Sequence, residues 1–372
     1  MAKKMYIGVD GVARKVKKAY VGVDNVARKV KKMYMGVEGV ARCIFSGGGE
    51  VVYYGTATNL SQGRLYLASA PVGNYALFAG GMTSDFADLS TVDAYDTSLT
   101  RTTPTELSKA RNKMGATSVG NHALFAGGAY DYFSYCTTVD AYNNSLTRST
   151  PTALSVKGGE IAAASVDNYA LFGGGTSSRY SVVDAYDISL TRTTPTELSQ
   201  GRNKMGATSV GNHALFAGGT TGSGYLSTVD AYDTSLTRTT PTALSVARGT
   251  LASTSVGNYA LFGGGYSDGG VTAVVDAYDT SLTRTTPTEL SQSKYYLAAT
   301  TTGIYALFGG GYDGSAVLST VDVYDASLTK SVTTNLSQAR DEFAASSVGN
   351  YALFGGGNGA SAVVDAYTYT SE

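Results

Sequence analysis

The chain has 372 residues, of which 43% are apolar and only 15% charged, and its net charge is −1. That balance excludes a disordered chain and supplies enough apolar material for a sizeable core. With 46 glycines, 28 tyrosines and 6 prolines, the composition favours short strands and tight turns over helices, because aromatic and β-branched side chains suit pleated surfaces.

Charge is unevenly spread. Residues 1–45 hold 11 Lys and Arg against 3 Asp and Glu, leaving 17 against 26 for the remainder. This basic segment is a threefold repeat with a 14-residue period, its copies beginning at Met5, Ala19 and Met33. The pairs Asp10-Gly11, Asp24-Asn25 and Glu38-Gly39, each flanked by valines, read as two-residue hairpin turns. Three hairpins are predicted. In the second, the turn pairs Val23 with Val26, Val21 with Arg28 and Ala19 with Val30 on one face. Such narrow apolar stripes build little core and isolated hairpins are marginal in water, so the segment is expected to dock on another body. Its lysines could neutralise phosphates, yet neither a stacking platform nor a recognition helix accompanies them, and nucleic acid is not the expected partner. No apolar run of signal-peptide form follows the first lysines, and no stretch approaches the ~20 apolar residues that cross a bilayer. Cytosolic synthesis without export, and no membrane insertion, are expected. Residues 46–50 form a Gly-rich linker.

From residue 60 a second repeat takes over, marked by YALFAGG or YALFGGG and then VDAYD, with its Phe at 78, 125, 172, 216, 262, 308 and 354. A period of 44 to 47 residues falls between the ~40–45 of WD40 units and the ~50 of kelch units, each a four-stranded propeller blade. Within one unit, 336–348 reads as a first strand, NYALFGGG as a second, STVDAYD as a third and LTRTTPTEL as a fourth. Strands apolar on both faces fit blades sandwiched between neighbours. The seventh unit stops one strand short, and VVYYGTATNLSQGR (51–64) matches the end of unit six. Strand 51–60 is therefore predicted to join the C-terminal blade and close the ring, which removes an open sheet edge.

GGGYDGSAVLSTVDVYDASL (309–328), with its double glycine, the tyrosine about a dozen residues later and the turn after Tyr-Asp, resembles the kelch family. The resemblance covers 51–372 and implies a seven-bladed kelch-like β-propeller, so the fold expected is all-β with a small N-terminal β-hairpin segment. It departs where kelch units carry a tryptophan, since this chain has none and places Leu99, Leu146, Leu190, Leu236, Leu282 and Leu328 nearby.

Little in the repeat supports catalysis. GGGYDG loosely contains GxGxxG, but a strand follows it where a dinucleotide site needs a helix. His122 and His213 occupy one repeat position where five other units have Tyr, and two histidines two blades apart cannot assemble the His and Tyr cluster of a copper site. Cys43 and Cys136 are too few for a disulfide framework or structural zinc and are expected as free thiols. No enzyme activity, metal or cofactor is expected. The recurrent Asp93, Asp140, Asp184, Asp230, Asp276, Asp322 and Asp365 read as scaffold that satisfies loop backbone or arginine donors. Two candidate ligand-binding sets remain. One is the SxxR ring, Arg64, Arg111, Arg202, Arg248 and Arg340, with Lys294 in unit six and Gly158 in unit three. Kelch relatives, by resemblance, bind partners with this arginine, and its fork suits carboxylates. The competing reading pairs each arginine with an acidic residue inside the scaffold. The other set is the variable second-to-third-strand loops, rich in Tyr, Ser, Gly, Asp and Asn like an adaptable recognition surface. Tyr130, Tyr132, Phe133 and Tyr135 are the densest cluster.

Finally, GVDNVARKVKKxYxGV resembles the N-terminal repeats of tail and baseplate proteins of phages, prophages and phage-tail-like particles of Gram-positive bacteria. That resemblance implies a non-enzymatic structural component of such a particle, assembled in the bacterial cytoplasm as a homo-oligomer. Residues 1–45 would meet other particle subunits, and the propeller would be displayed for a host-surface glycan or protein. The alternatives are a free kelch-type carbohydrate-binding or enzymatic protein, and an architectural decoration that binds no receptor.

Overall fold

The structure is a computed structural model describing residues 49–131, 134–175 and 180–370, together with the backbone of strands within 6–46. It divides into two compact units, 1–52 with 369–372, and 53–368. Every regular element described is a β-strand.

In the N-terminal unit three antiparallel strand pairs flank the expected turn positions, whose own residues lie outside those described. Tyr6–Val9 pairs with Val12–Lys15, Tyr20–Val23 with Val26–Lys29, and Lys32–Val37 with Val40–Ser46. The innermost partners are Val9 and Val12, Val23 and Val26, Val37 and Val40, and Val21 faces Arg28 as predicted. The expected Ala19–Val30 pair lies outside the described residues.

The rest of the described chain forms seven four-stranded antiparallel sheets. The first is Ala68–Val72, Tyr75–Ala79, Val92–Asp96 and Arg101–Thr102, and five more repeat it in chain order. The seventh combines Ala344–Val348, Tyr351–Gly355 and Val364–Thr370 with Glu50–Thr56 as its outer strand. First strands of consecutive blades contact one another around a full circle, and Ala344–Val348 meets Ala68–Val72. A closed ring of seven such sheets is a seven-bladed β-propeller, sealed by a strand from the other end of the chain.

Recurring residues hold the ring together. In each blade the Phe of the second strand meets the Tyr of the third edge to face, as with Phe78 and Tyr95 at 5.8 Å and 90°, a geometry favoured by the ring quadrupoles. The tyrosine hydroxyl donates to the strand-linking segment before its blade, Tyr95 to Thr58 O at 2.7 Å and Tyr278 to Thr242 O at 2.7 Å. The double glycine joins neighbouring blades. At Gly264 (φ +67°) an added Cβ would lie 2.4 Å from Lys294 O of the next blade, and at Gly265 the N–H donates to that same oxygen at 2.9 Å. Equivalent bonds run from Gly81 to Arg111 O and onward around the ring to Gly357 and Arg64 O. The missing side chain is thus what lets two backbones touch.

The first strands are shorter than the sequence suggested. In unit seven the strand spans Ala344–Val348, not 336–348, because Glu342 takes φ +56° and breaks the extended chain. Outer strands shrink to Arg-Thr pairs in most blades. The recurrent leucines, Leu99, Leu146, Leu190, Leu236, Leu282 and Leu328, sit at φ 59–63° in the turn after the third strand, with Leu99 and its equivalents packed against the adjoining blade's core. The turn is held by its aspartate, as where Asp96 Oδ1 accepts from Ser98 N and Thr100 N at 2.8 and 2.9 Å.

Candidate functional site

The arginine ring predicted to meet ligand lies inside the blades. Arg64, Arg111, Arg202, Arg248 and Arg340 are essentially unexposed, as is Lys294. Each is ion-paired to the third-strand aspartate of its own blade, at 2.8 Å for Arg64–Asp93, Arg111–Asp140, Arg202–Asp230 and Arg248–Asp276 and at 2.9 Å for Lys294–Asp322; Arg340 pairs with Asp365. In four blades Nη2 also donates to the second-strand Phe carbonyl and Nη1 to a carbonyl two residues back, as Arg248 does to Phe262 O and Val246 O, both at 3.1 Å. A second basic residue from the outer strand, such as Arg284 at 2.9 Å, closes on the other carboxylate oxygen. Blade seven uses Tyr53 of the closing strand there, donating to Asp365 Oδ1 at 2.8 Å. These guanidiniums have no free donor edge on the surface, so the ring is scaffold rather than a ligand-binding face. A buried charge of this kind persists only when paired.

Blade three departs from the pattern. Gly158 replaces the arginine, and Asp184, 2% exposed, accepts from Ser155 N and Oγ at 3.0 Å through Oδ2 while Oδ1 has no hydrogen bond. Arg192 stands 3.7 Å away. Burial raises the Asp184 pKa above the ordinary carboxylate value, only partly countered by Ser155 and Arg192.

Two residues beyond each buried cation lies a position that the sequence reading passed over. Tyr66, Lys113, Glu160, Lys204, Thr250, Tyr296 and Glu342 all take φ between 51 and 56°. Backbone bonds link consecutive members, Lys113 N to Tyr66 O at 3.0 Å, Glu160 N to Lys113 O at 2.9 Å, Thr250 N to Lys204 O at 2.9 Å and Tyr66 N to Glu342 O at 2.9 Å. Their side chains, with the apolar residue following most of them, line a pit of about 250 Å³ at one mouth of the ring. The first-strand walls of the ring are Ser, Ala and Thr apart from Pro71. One signal was readable: this position changes chemistry from blade to blade and is never glycine in a chain of 46 glycines.

Half of the pit is internally satisfied. Tyr66 OH donates to Glu342, the Lys113 ammonium sits 4.4 Å from the Tyr66 ring and 3.8 Å from Glu160 Oε1, and Asn203 Nδ2 donates to Glu160 Oε2 at 2.7 Å. Burial raises the Glu342 and Tyr66 pKa values, while burial and nearby carboxylates push Tyr296 up to about 12. Across the pit, Lys204 has no carboxylate within 4 Å among the described residues.

The variable loops meet the pit rim on the same face, through bridges pairing Met82 with Leu65, Ala129 with Asn112, Tyr266 with Gly249 and Tyr312 with Tyr295. Of the four aromatics expected in unit two, Tyr130 lies under the Lys109 ammonium and Tyr135 rests on Gly159, where an added Cβ would be 2.9 Å from its ring. Tyr132 and Phe133 lie outside the described residues. A longer aromatic series, not foreseen, crosses blades four to six. Tyr225 and Tyr266 are 5.8 Å apart, Tyr266 and Tyr295 5.4 Å, Tyr295 and Tyr312 5.6 Å, and Tyr295 and the pit residue Tyr296 4.9 Å. Its members come from loops of separate units, so no single window of sequence displays it.

His122 and His213 are half-buried with Nδ1 unbonded, and no group of three metal-ligating side chains occurs among the described residues. Cys136 is buried and unpaired, 3.3 Å from Gly127 O; the Cys43 side chain lies outside what is described.

No protein-family model matches the chain, and no curated protein matches it. Among solved structures it is similar to that described as "Structure of YjhT", with a TM-score of 0.59 and 11% identity over 75% of this chain and 99% of the other. The shared feature is the fold. The chain is a β-propeller. Identity this low carries the propeller's architecture and nothing of its chemistry.

Proposed function

We propose that this protein is a non-enzymatic recognition component of a phage tail, baseplate or phage-tail-like particle. Its kelch-like propeller binds a host-surface glycan through the face carrying the pit and loops, and the basic hairpin repeat of residues 1–45 attaches it to neighbouring subunits. One observation carries the reading. The residues that knit the blades recur nearly unchanged, while those on this single face differ in almost every unit. A rigid frame presenting dissimilar Tyr, Lys, Glu, Ser and Asn side chains is how recognition surfaces are built. Among the described residues the opposite face carries short turns, such as Gly73-Asn74 and those closed by Asp96 and its equivalents.

The reading is tested in the native particle. Deletion of residues 1–45 is expected to abolish incorporation while the released propeller still binds host cells. Incorporation that survives the deletion, or particles that adsorb normally without the propeller, would count against it.

A further inference from the structure

Strain points to which part of this face engages a ligand. A non-glycine residue in the left-handed region costs about 1–2 kcal/mol, and a β-branched one such as Thr250 at φ +53° is a true outlier. The leucines at φ 59–63° have an evident return, since their side chains fill the seam between blades. The backbones of the seven pit residues pass hydrogen bonds from blade to blade, a role glycine would serve as well, but their side chains fill no seam. They project into a cavity and share no common size or charge, yet glycine, which would relieve the strain, stands at none of them. Strain retained beside a cavity is a mark of function rather than packing.

The chemistry of the pit narrows the ligand. It holds two ammoniums and two carboxylates over an apolar floor that includes Leu67, Met205 and Phe343. An anion would face Glu160 and Glu342, and a cation would face Lys113 and Lys204. A neutral polyol suits both signs, because each hydroxyl donates to a carboxylate and accepts from an ammonium or tyrosine, in charge-assisted bonds. A volume of about 250 Å³ lies below the ~300–1,000 Å³ typical of drug-sized ligands and admits a single sugar ring. Outside, Tyr296 touches Tyr295, and from there steps of 5.4 and 5.8 Å lead through Tyr266 to Tyr225. The rings meet edge to face or tilted, Tyr266 and Tyr295 at 77° and Tyr225 and Tyr266 at 41°, so they form a stepped ridge whose partly exposed edges and faces offer rigid, amphipathic contact area at low entropic cost, suited to the C–H groups and hydroxyls of a sugar chain. The Tyr225 ring packs beside Gly249, 3.5 Å from where its Cβ would stand.

We propose that the pit receives the terminal residue of an uncharged glycan and that Tyr295, Tyr266 and Tyr225 carry the sugar residues that follow it. This rests on the glycan-recognition reading above and adds the site, the polarity and the charge class of the ligand.

The test uses the full chain on an array of bacterial surface-polysaccharide fragments containing neutral and acidic series from mono- to hexasaccharide, followed by titration calorimetry of the hits. Neutral glycans are expected to bind, with affinity rising to about the tetrasaccharide and then levelling. Tyr266→Ala should weaken tetrasaccharide binding about tenfold and leave the monosaccharide unchanged. Thr250→Gly should weaken the monosaccharide about tenfold while raising the thermal midpoint, a combination that a merely structural residue does not give. Acidic glycans alone binding, affinity independent of chain length, or both variants binding as the parent does would overturn the proposal. The two readings fail separately: parent protein that binds host cells undiminished by either substitution removes this site but keeps the recognition role, whereas parent protein that binds no host surface removes the role itself.

Discussion

The native irregularity in blade three makes the buried ion pairs measurable in both directions. In blade five Arg248 is unexposed, 2.8 Å from Asp276, and Arg248→Met would leave that buried carboxylate with Arg284 at 2.9 Å as its remaining cation, so the loss should be about 2–3 kcal/mol, below the ~3–5 of a fully unpaired buried charge. Blade three already lacks the inner cation and keeps only Arg192, 3.7 Å from Asp184 Oδ1. Gly158→Arg would supply the missing guanidinium to Asp184 Oδ1, and blade three retains Gly175 at the position where, in blade five, Gly265 lies against the arginine stem, an added Cβ there falling 3.4 Å from Arg248 Cδ. Ser155 already offsets part of the cost through Oδ2, and fixing an arginine side chain costs up to ~2 kcal/mol. The net gain should be about 1–3 kcal/mol at pH 8. Its pH dependence has a definite sign. Asp184 has a raised pKa in the folded state, so between the unfolded value of ~3.9 and the raised one the native state binds more protons, and the parent loses stability as pH rises. An arginine partner lowers the folded pKa and reverses that slope, so the gain should be larger at pH 8 than at pH 5. Urea unfolding of the full chain at both pH values, followed by circular dichroism, measures this. A neutral or destabilising Gly158→Arg together with a loss below ~1 kcal/mol for Arg248→Met would refute the account.

Other substitutions probe the remaining parts of the frame. Thr250→Gly should stabilise by about 1 kcal/mol in the same assay, the released left-handed strain exceeding the extra freedom of the unfolded chain; destabilisation would show that the Thr250 side chain is structural. Gly264→Ala combines φ +67° with a Cβ 2.4 Å from Lys294 O and should cost more than ~3 kcal/mol, read as a lowered thermal midpoint. An unchanged midpoint would mean that the blades do not depend on that contact. Tyr53→Phe removes the 2.8 Å donor to Asp365 and should cost about 1–2 kcal/mol, with hydrogen exchange accelerating first in the closing strand; exchange unchanged in Glu50–Thr56 would argue against its role as the seal.

Much of the fold was legible because it is written seven times. A repeated Phe, double glycine and VDAYD give the period, the blade count and the strand order, and the shortfall of one strand at residue 372 points back to residues 51–64. The strand pairings that flank Asp10-Gly11 and Asp24-Asn25 were legible because a two-residue turn is a local matter of backbone dihedrals. Even the aspartates were read as scaffold. Their arginine partners, which looked from the sequence as available for ligand as for structure, belong to the same pairs.

Burial made that decision, and burial is a property of the closed ring. A recurrent arginine has the same letters whether it faces solvent or an aspartate 28 residues on, as Arg202 does Asp230. The pit escaped notice for the opposite reason, since its seven members share neither size nor charge and are united only by a left-handed φ and by the circle that brings them together. The tyrosines of blades four to six likewise lie far apart along the chain and become neighbours only when the blades stack. The sequence by itself determined the strands, the turns and the number of blades, which depend on local dihedral preference and period; the tertiary structure alone decided which side chains are sealed between blades and which converge on open space.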